Sequence, residues 1–155
     1  EIFITQLDIA STKKIPIMIH LPHQNKTKGI ERIEEILNQN GNKYDRKKIL
    51  IDHNTEETIK KTLEMGLWAG LSVYPITKLS PKRAIDIIRK NGPDNLMLNS
   101  AADWGISDPL SVPLVAREMR KEGFRKSEIE KVTMSNAYDF YKQSDKFTWT
   151  PQNQC

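Results

Sequence analysis

Ile15-Pro16-Ile17-Met18-Ile19-His20-Leu21 and Lys48-Ile49-Leu50-Ile51-Asp52-His53 decide the fold. Each is an apolar, β-branched run too short for a buried helix, so each reads as a strand, and each brings a histidine to its end. Between them, apolar residues at 30, 33, 36 and 37 alternate with charges in the three-four spacing of an amphipathic helix, which Asn40-Gly41 stops. The unit is strand, helix, strand, and it recurs.

Asn54 or Thr55 is placed to cap a second helix, with Glu56 and Glu57 in its positive first turn and Gly66 closing it. Trp68 to Tyr74 reads as a third strand. Ser80-Pro81 starts a helix with apolar positions 84, 85, 87 and 88, Asn91-Gly92-Pro93 breaks it, and Leu96 to Asn99 makes a fourth strand. After Asp108-Pro109, read as a helix start, come helices over roughly 110–122 and 127–143 and a Gln, Ser and Thr-rich tail over roughly 144–155. A leading helix, Phe3 to Lys14, precedes the first strand, with Leu7, Ile9 and Ala10 expected to be buried.

Strands alternating with helices imply a parallel sheet with right-handed crossovers. The strand ends at His20, His53, Tyr74 and Asn99 lie 33, 21 and 25 residues apart, close to the ~31 residues per unit of a ~250-residue eight-fold barrel. The expected fold is therefore α/β: parallel (β/α) units forming half of a (β/α)8 barrel, as a single domain over 1–155. A doubly wound sheet is the rival architecture. Four units cannot close an eight-stranded barrel, so a fragment or a member of an assembly is expected. The chain opening on Glu1 rather than Met fits a fragment.

Lys and Arg number 24 against 20 Asp and Glu, a net charge of +4 with a pI near 9.1. This suits an anionic substrate but is far from the basic density of a nucleic-acid-binding surface. Cys155 is the single cysteine, so an internal disulfide and an all-cysteine metal site are excluded and a reducing, cytoplasmic setting is the simpler expectation. No apolar run approaches the ~18 residues of a membrane span, and the first residues lack a basic, cleavable leader.

In α/β folds, functional groups collect at the carboxyl ends of strands. His20 and His53 both fall there, and Asn99-Ser100-Ala101-Ala102-Asp103-Trp104-Gly105 sets a carboxylate just past the fourth strand. Two histidines and an aspartate suit Zn2+ or Mn2+, with Mg2+ the harder alternative. Asp103 would serve as ligand, general base or both. Lys78 would neutralise charge on a phosphate or carboxylate, Tyr74 would donate to substrate, and Trp104 would wall the pocket. Each residue taken singly has a plainer reading: a rim histidine, a solvated lysine, a turn tyrosine, a buried indole.

Taken together, Gln6-Leu7-Asp8-Ile9-Ala10, Ile15 to His20, Ile51-Asp52-His53-Asn54-Thr55-Glu56-Glu57-Thr58, Gly70-Leu71-Ser72-Val73-Tyr74-Pro75 with Thr77-Lys78-Leu79, and Asn99 to Asp103 resemble the TatD-type metal-dependent hydrolases. The resemblance runs from about residue 3 to residue 140. It implies a TIM barrel of the amidohydrolase superfamily that hydrolyses ester or phosphoester bonds, including those of DNA, with one or two divalent metals. His20, His53 and Asp103 then match metal ligands at the ends of the fifth, sixth and eighth strands. Asp103 is the loosest match, so Asn99 is a reserve candidate for that position as well as a substrate contact. The family's His-x-His on its first strand and Glu on its fourth have no counterpart. His23 stands where relatives often carry an arginine facing an anionic group.

Three functions follow for testing. The first is a metal-dependent hydrolase acting on an ester or anionic small molecule, completed by a missing N-terminal half. The second is a non-catalytic half-barrel that pairs with itself or with another chain. The third is DNA binding, which lacks a basic patch interleaved with aromatics.

Overall fold

The computed structural model describes residues 1–74, 78–100 and 106–151. Four strands, β1 (Ile17–His20), β2 (Ile49–Asp52), β3 (Trp68–Val73) and β4 (Leu96–Ser100), form one parallel sheet in the order β1-β2-β3-β4. A doubly wound sheet reverses its strand order at a switch point. Here the order is sequential, as in consecutive units of a (β/α) barrel, and among the described residues β1 and β4 are edge strands.

The helices are α1 (Ile2–Lys13), α2 (Lys26–Gln39), α3 (Ile59–Glu64), α4 (Pro81–Asn91), α5 (Ser111–Lys121), α6 (Lys126–Glu130) and α7 (Asn136–Tyr141). A π-helical turn, Lys131–Ser135, joins the last two. Strand alternation sorts side chains to two faces. The outer face of β1 and β2 packs Ile19, Ile49 and Ile51 against Ile30, Ile33 and Leu37 of α2 and Leu7 of α1. The outer face of β3 and β4 packs Leu71, Val73 and Leu98 against Ala84, Ile85 and Ile88 of α4 and Val115 and Met119 of α5. On the inner face Leu50 and Met97 meet Phe140 of α7, with Trp68 and Ala137 beside them. Asn136, buried, fixes α7 to the start of β4 by donating to the carbonyls of Leu96 at 2.6 Å and Pro93 at 2.7 Å.

Ser80 caps α4 as its sequence suggests, its hydroxyl accepting from the Arg83 amide at 3.3 Å. Three expectations need correction. Ile9 is 54% exposed while Leu7 and Ala10 are buried, because α1 presents only a narrow stripe to the sheet. The helix after His53 begins at Ile59, with Thr58 at its cap, because the Asn54 side chain is spent elsewhere. It donates to the Ile51 carbonyl and accepts from the hydroxyls of Thr58 and Thr62. Glu56 therefore lies outside the first turn and makes a two-pronged pair with Arg83. The strand ending at His53 stops one residue earlier, at Asp52.

Candidate metal centre

His53 leaves β2 in a conformation that L-residues avoid, with φ +61°. A side chain in the left-handed region costs about 1 kcal/mol or more, and such strain persists where surrounding contacts over-determine it. Here the His53 amide donates to Asp52 Oδ1 at 2.7 Å, and its carbonyl accepts from Lys26 Nζ at 2.9 Å. The imidazole Nδ1 lies 2.6 Å from Ser72 Oγ. The bend turns the buried ring back over the sheet toward His20, which reaches the same place from the end of β1.

His53 Nε2 stands 3.0 Å from His20 Nδ1, the two rings edge to face with centroids 3.9 Å apart. The Ser72 hydroxyl also reaches Asp52 Oδ1, at 3.2 Å. With its O–H donated to that carboxylate, Ser72 accepts from His53 Nδ1–H, and Nε2 keeps a lone pair that faces the Lys78 ammonium. Burial pushes the His53 imidazole down to about 4; Asp52 pulls the other way, and Lys78, His20 and Lys26 lower it further. The ring is neutral at physiological pH, the state a metal ligand requires.

The chemistry of this donor set fits a divalent metal. His20, Asp52 and His53 each offer one ligand atom, all within 4.8 Å of one another. Two nitrogens at ~2.0–2.1 Å from one tetrahedral ion stand ~3.3 Å apart, near the separation seen. A positive charge already sits there: the Lys78 ammonium lies 2.8 Å from His53 Nε2 and 3.1 Å from Nδ1.

The site opens into a cleft of about 360 Å3 that His23, Lys26, Thr55, Lys78 and Arg83 border. Burial, and then Lys78, lower the Lys26 ammonium, which Asp52 partly offsets. Thr55 Oγ1 is buried without a hydrogen-bond partner among the described residues.

Of the residues nominated by sequence, His20, His53, Lys78 and His23 thus come together. Asn99 donates to Asp52 Oδ1 at 2.9 Å and borders a second cleft with His20, Asp52 and His53. Tyr74 is 4% exposed, its amide bound to the Leu79 carbonyl, and it does not border the cleft. Asp103, Trp104 and the Pro75 to Thr77 segment lie outside the described residues. Sequence reading passed over Asp52, Ser72 and Lys26. The first two had a signal: period-two alternation puts Asp52 on the face of Leu50, and Ser72 on the face of Trp68.

A metal-dependent hydrolase of Methanocaldococcus jannaschii, itself uncharacterized, is 30% identical over 137 residues, 88% of this chain and 53% of that protein. The crystal structure of a TatD-like protein from Archaeoglobus fulgidus superposes with a TM-score of 0.67 at 26% identity, over 89% of this chain and 52% of that one. Organophosphorus hydrolase from Deinococcus radiodurans shares the fold at a TM-score of 0.66 and 16% identity, over 87% of this chain and 49% of its own. No family model matches the chain. The chain spans about half the length of the relatives it matches. In sequence and in fold it matches one half of a TatD-type, metal-dependent hydrolase barrel.

Proposed function

We propose that this chain carries part of the active site of a metal-dependent hydrolase acting on an ester or phosphoester, with His20 and His53 as ligands to Zn2+ or Mn2+. The observation that carries the reading is the 3.0 Å approach of two imidazole nitrogens at adjacent strand ends, one of them on a strained, fully supported backbone. A divalent metal bound there supplies Lewis-acid activation of water near neutral pH. The chain's own groups do the rest. Ser72 holds the His53 tautomer, and Lys78, with His23 and Lys26 behind it, faces an anionic group in the cleft and offsets charge that grows on it. Asp103, past the end of β4, is proposed to hold the metal, take the proton from water, or both. Nucleic acid is a less favoured substrate than a small anionic ester, because the net charge of +4 is far from the basic density of a nucleic-acid-binding surface.

A panel of p-nitrophenyl carboxylate and phosphate esters, assayed with added Zn2+ and Mn2+, tests this reading. Metal-stimulated turnover that disappears in His53→Ala supports it. Metal bound in a monomeric chain with no turnover on any ester refutes turnover by this chain alone. A second reading, a half-barrel working by association, is favoured by Met18, which is 49% exposed on the inner face of edge strand β1. A monomer at all concentrations by light scattering refutes it.

A further inference from the structure

Asp52 is a buried carboxylate at the last position of β2, between the two strand-end histidines. It pairs in register with His20 across β1 and β2 and is 7% exposed. A charge taken out of water must be matched by donors or by a cation. Oδ1 is matched three times, by the His53 amide at 2.7 Å, Asn99 Nδ2 at 2.9 Å and Ser72 Oγ at 3.2 Å. Oδ2 receives no hydrogen bond from any described residue and stands 3.7 Å from His53 Nε2. One oxygen is thus anchored by the protein and the other is turned toward the imidazole lone pairs.

The neighbouring strand is shaped around this group. A Cβ at Gly70 would come within 2.4 Å of Asp52 Oδ1, so β3 carries a residue with no side chain where the carboxylate sits. Ser72, two residues on, ties Asp52 to His53 Nδ1 and so fixes both groups at once. Such supporting shells are what orient ligands in metal sites.

We propose that Asp52 Oδ2 is a third protein ligand of the metal centre, joining His20 and His53 in a set carried by the carboxyl ends of β1 and β2. The proposal rests on the reading that this rim holds a divalent metal. Three protein ligands with an open fourth position is the arrangement of catalytic zinc, so the set leaves Asp103 to handle the proton.

The test is competition of the full chain with a chromophoric chelator for Zn2+, together with the visible spectrum of the Co2+ form, on wild type, Asp52→Asn and His53→Ala. Asp86→Asn, an exposed carboxylate on α4, is the charge control. Asn retains an oxygen for the three donors, and Asp52→Ser serves if it fails to fold, folding being checked by circular dichroism. We expect Zn2+ affinity to fall at least ~10-fold in Asp52→Asn with an altered Co2+ spectrum, to be lost in His53→Ala, and to be unchanged in Asp86→Asn. Affinity within threefold of wild type and an unchanged spectrum in Asp52→Asn, with loss in His53→Ala, would overturn the role of Asp52 and leave the metal reading standing. No binding by the wild-type chain would overturn both.

Discussion

The carboxylate of Asp52 occupies the space where residue 70 would place a side chain, with Oδ1 only 2.4 Å from the position of an ideal Gly70 Cβ. Neither partner can move aside easily: Asp52 is held by three hydrogen bonds, and Gly70 lies in the middle of β3, its carbonyl bound by the Asn54 amide.

Gly70→Ala is therefore expected to destabilise the chain by about 1–3 kcal/mol, the usual cost of overpacking, and to weaken metal binding with it. Gly29→Ala is the contrast. Gly29 lies inside α2, and a Cβ there meets Leu21 and Pro22 no closer than 3.4 Å. Removing a helical glycine should stabilise by about 0.5–1 kcal/mol. Urea denaturation of the two variants beside wild type checks both signs.

At position 53 the backbone and the ring make separate demands. His53→Ala and His53→Gly both remove the ligand, but only glycine adopts φ +61° without strain. We expect the glycine variant to be more stable than the alanine variant by about 1 kcal/mol, with metal binding lost in both. Equal stabilities in thermal melts would show that the bend carries no strain.

Metal-free stability should depend on pH through the same residue. Unfolded, His53 takes a proton near the ordinary imidazole value of 6.5; folded, it does so only near about 4. The unfolded chain binds the extra proton between those values, so the contribution is fully present above pH 6.5, declines as pH falls toward 4, and is flat below. Its size is on the order of 2–3 kcal/mol. Denaturation midpoints in chelator across this range, for wild type and His53→Ala, measure it; parallel profiles would refute the assignment to His53.

Asn54 is 1% exposed and joins strand β2 to helix α3 through bonds to Ile51, Thr58 and Thr62. Asn54→Ala removes three buried hydrogen bonds while the Thr58 and Thr62 hydroxyls keep bonds to the backbone of Thr55 and Thr58, which should cost about 1–3 kcal/mol. Hydrogen exchange should show the loss concentrated in α3.

Local pattern carried much of this architecture. The stripe Ala84, Ile85, Ile87 and Ile88 is buried as its spacing implies, and both strand-end histidines meet at one rim. What escaped was decided across strands. That Asp52 faces His20 depends on the β1–β2 register, and that Asn99 supports Asp52 depends on a bond spanning 47 residues. The capping motif at Asn54 was misread because the side chain found three partners within the fold in place of the helix end. The αL bend at His53 has only a weak residue-type signature, since histidine is enriched among the few non-glycine residues found there but is far commoner elsewhere.

A π turn holds one residue more than α geometry would allot, so Lys131–Ser135 has the form of an insertion retained within a helix. Val132 lies in the outer core and Phe140 in the inner one. Winding the same residues as plain α-helix, without the wide turn, would swing Phe140 by about 100° around the axis, away from Leu50 and Met97. Other apolar side chains of similar size are tolerable at either position. The wide turn between them is the stricter inheritance, because the phase it sets determines which two cores one helix can serve.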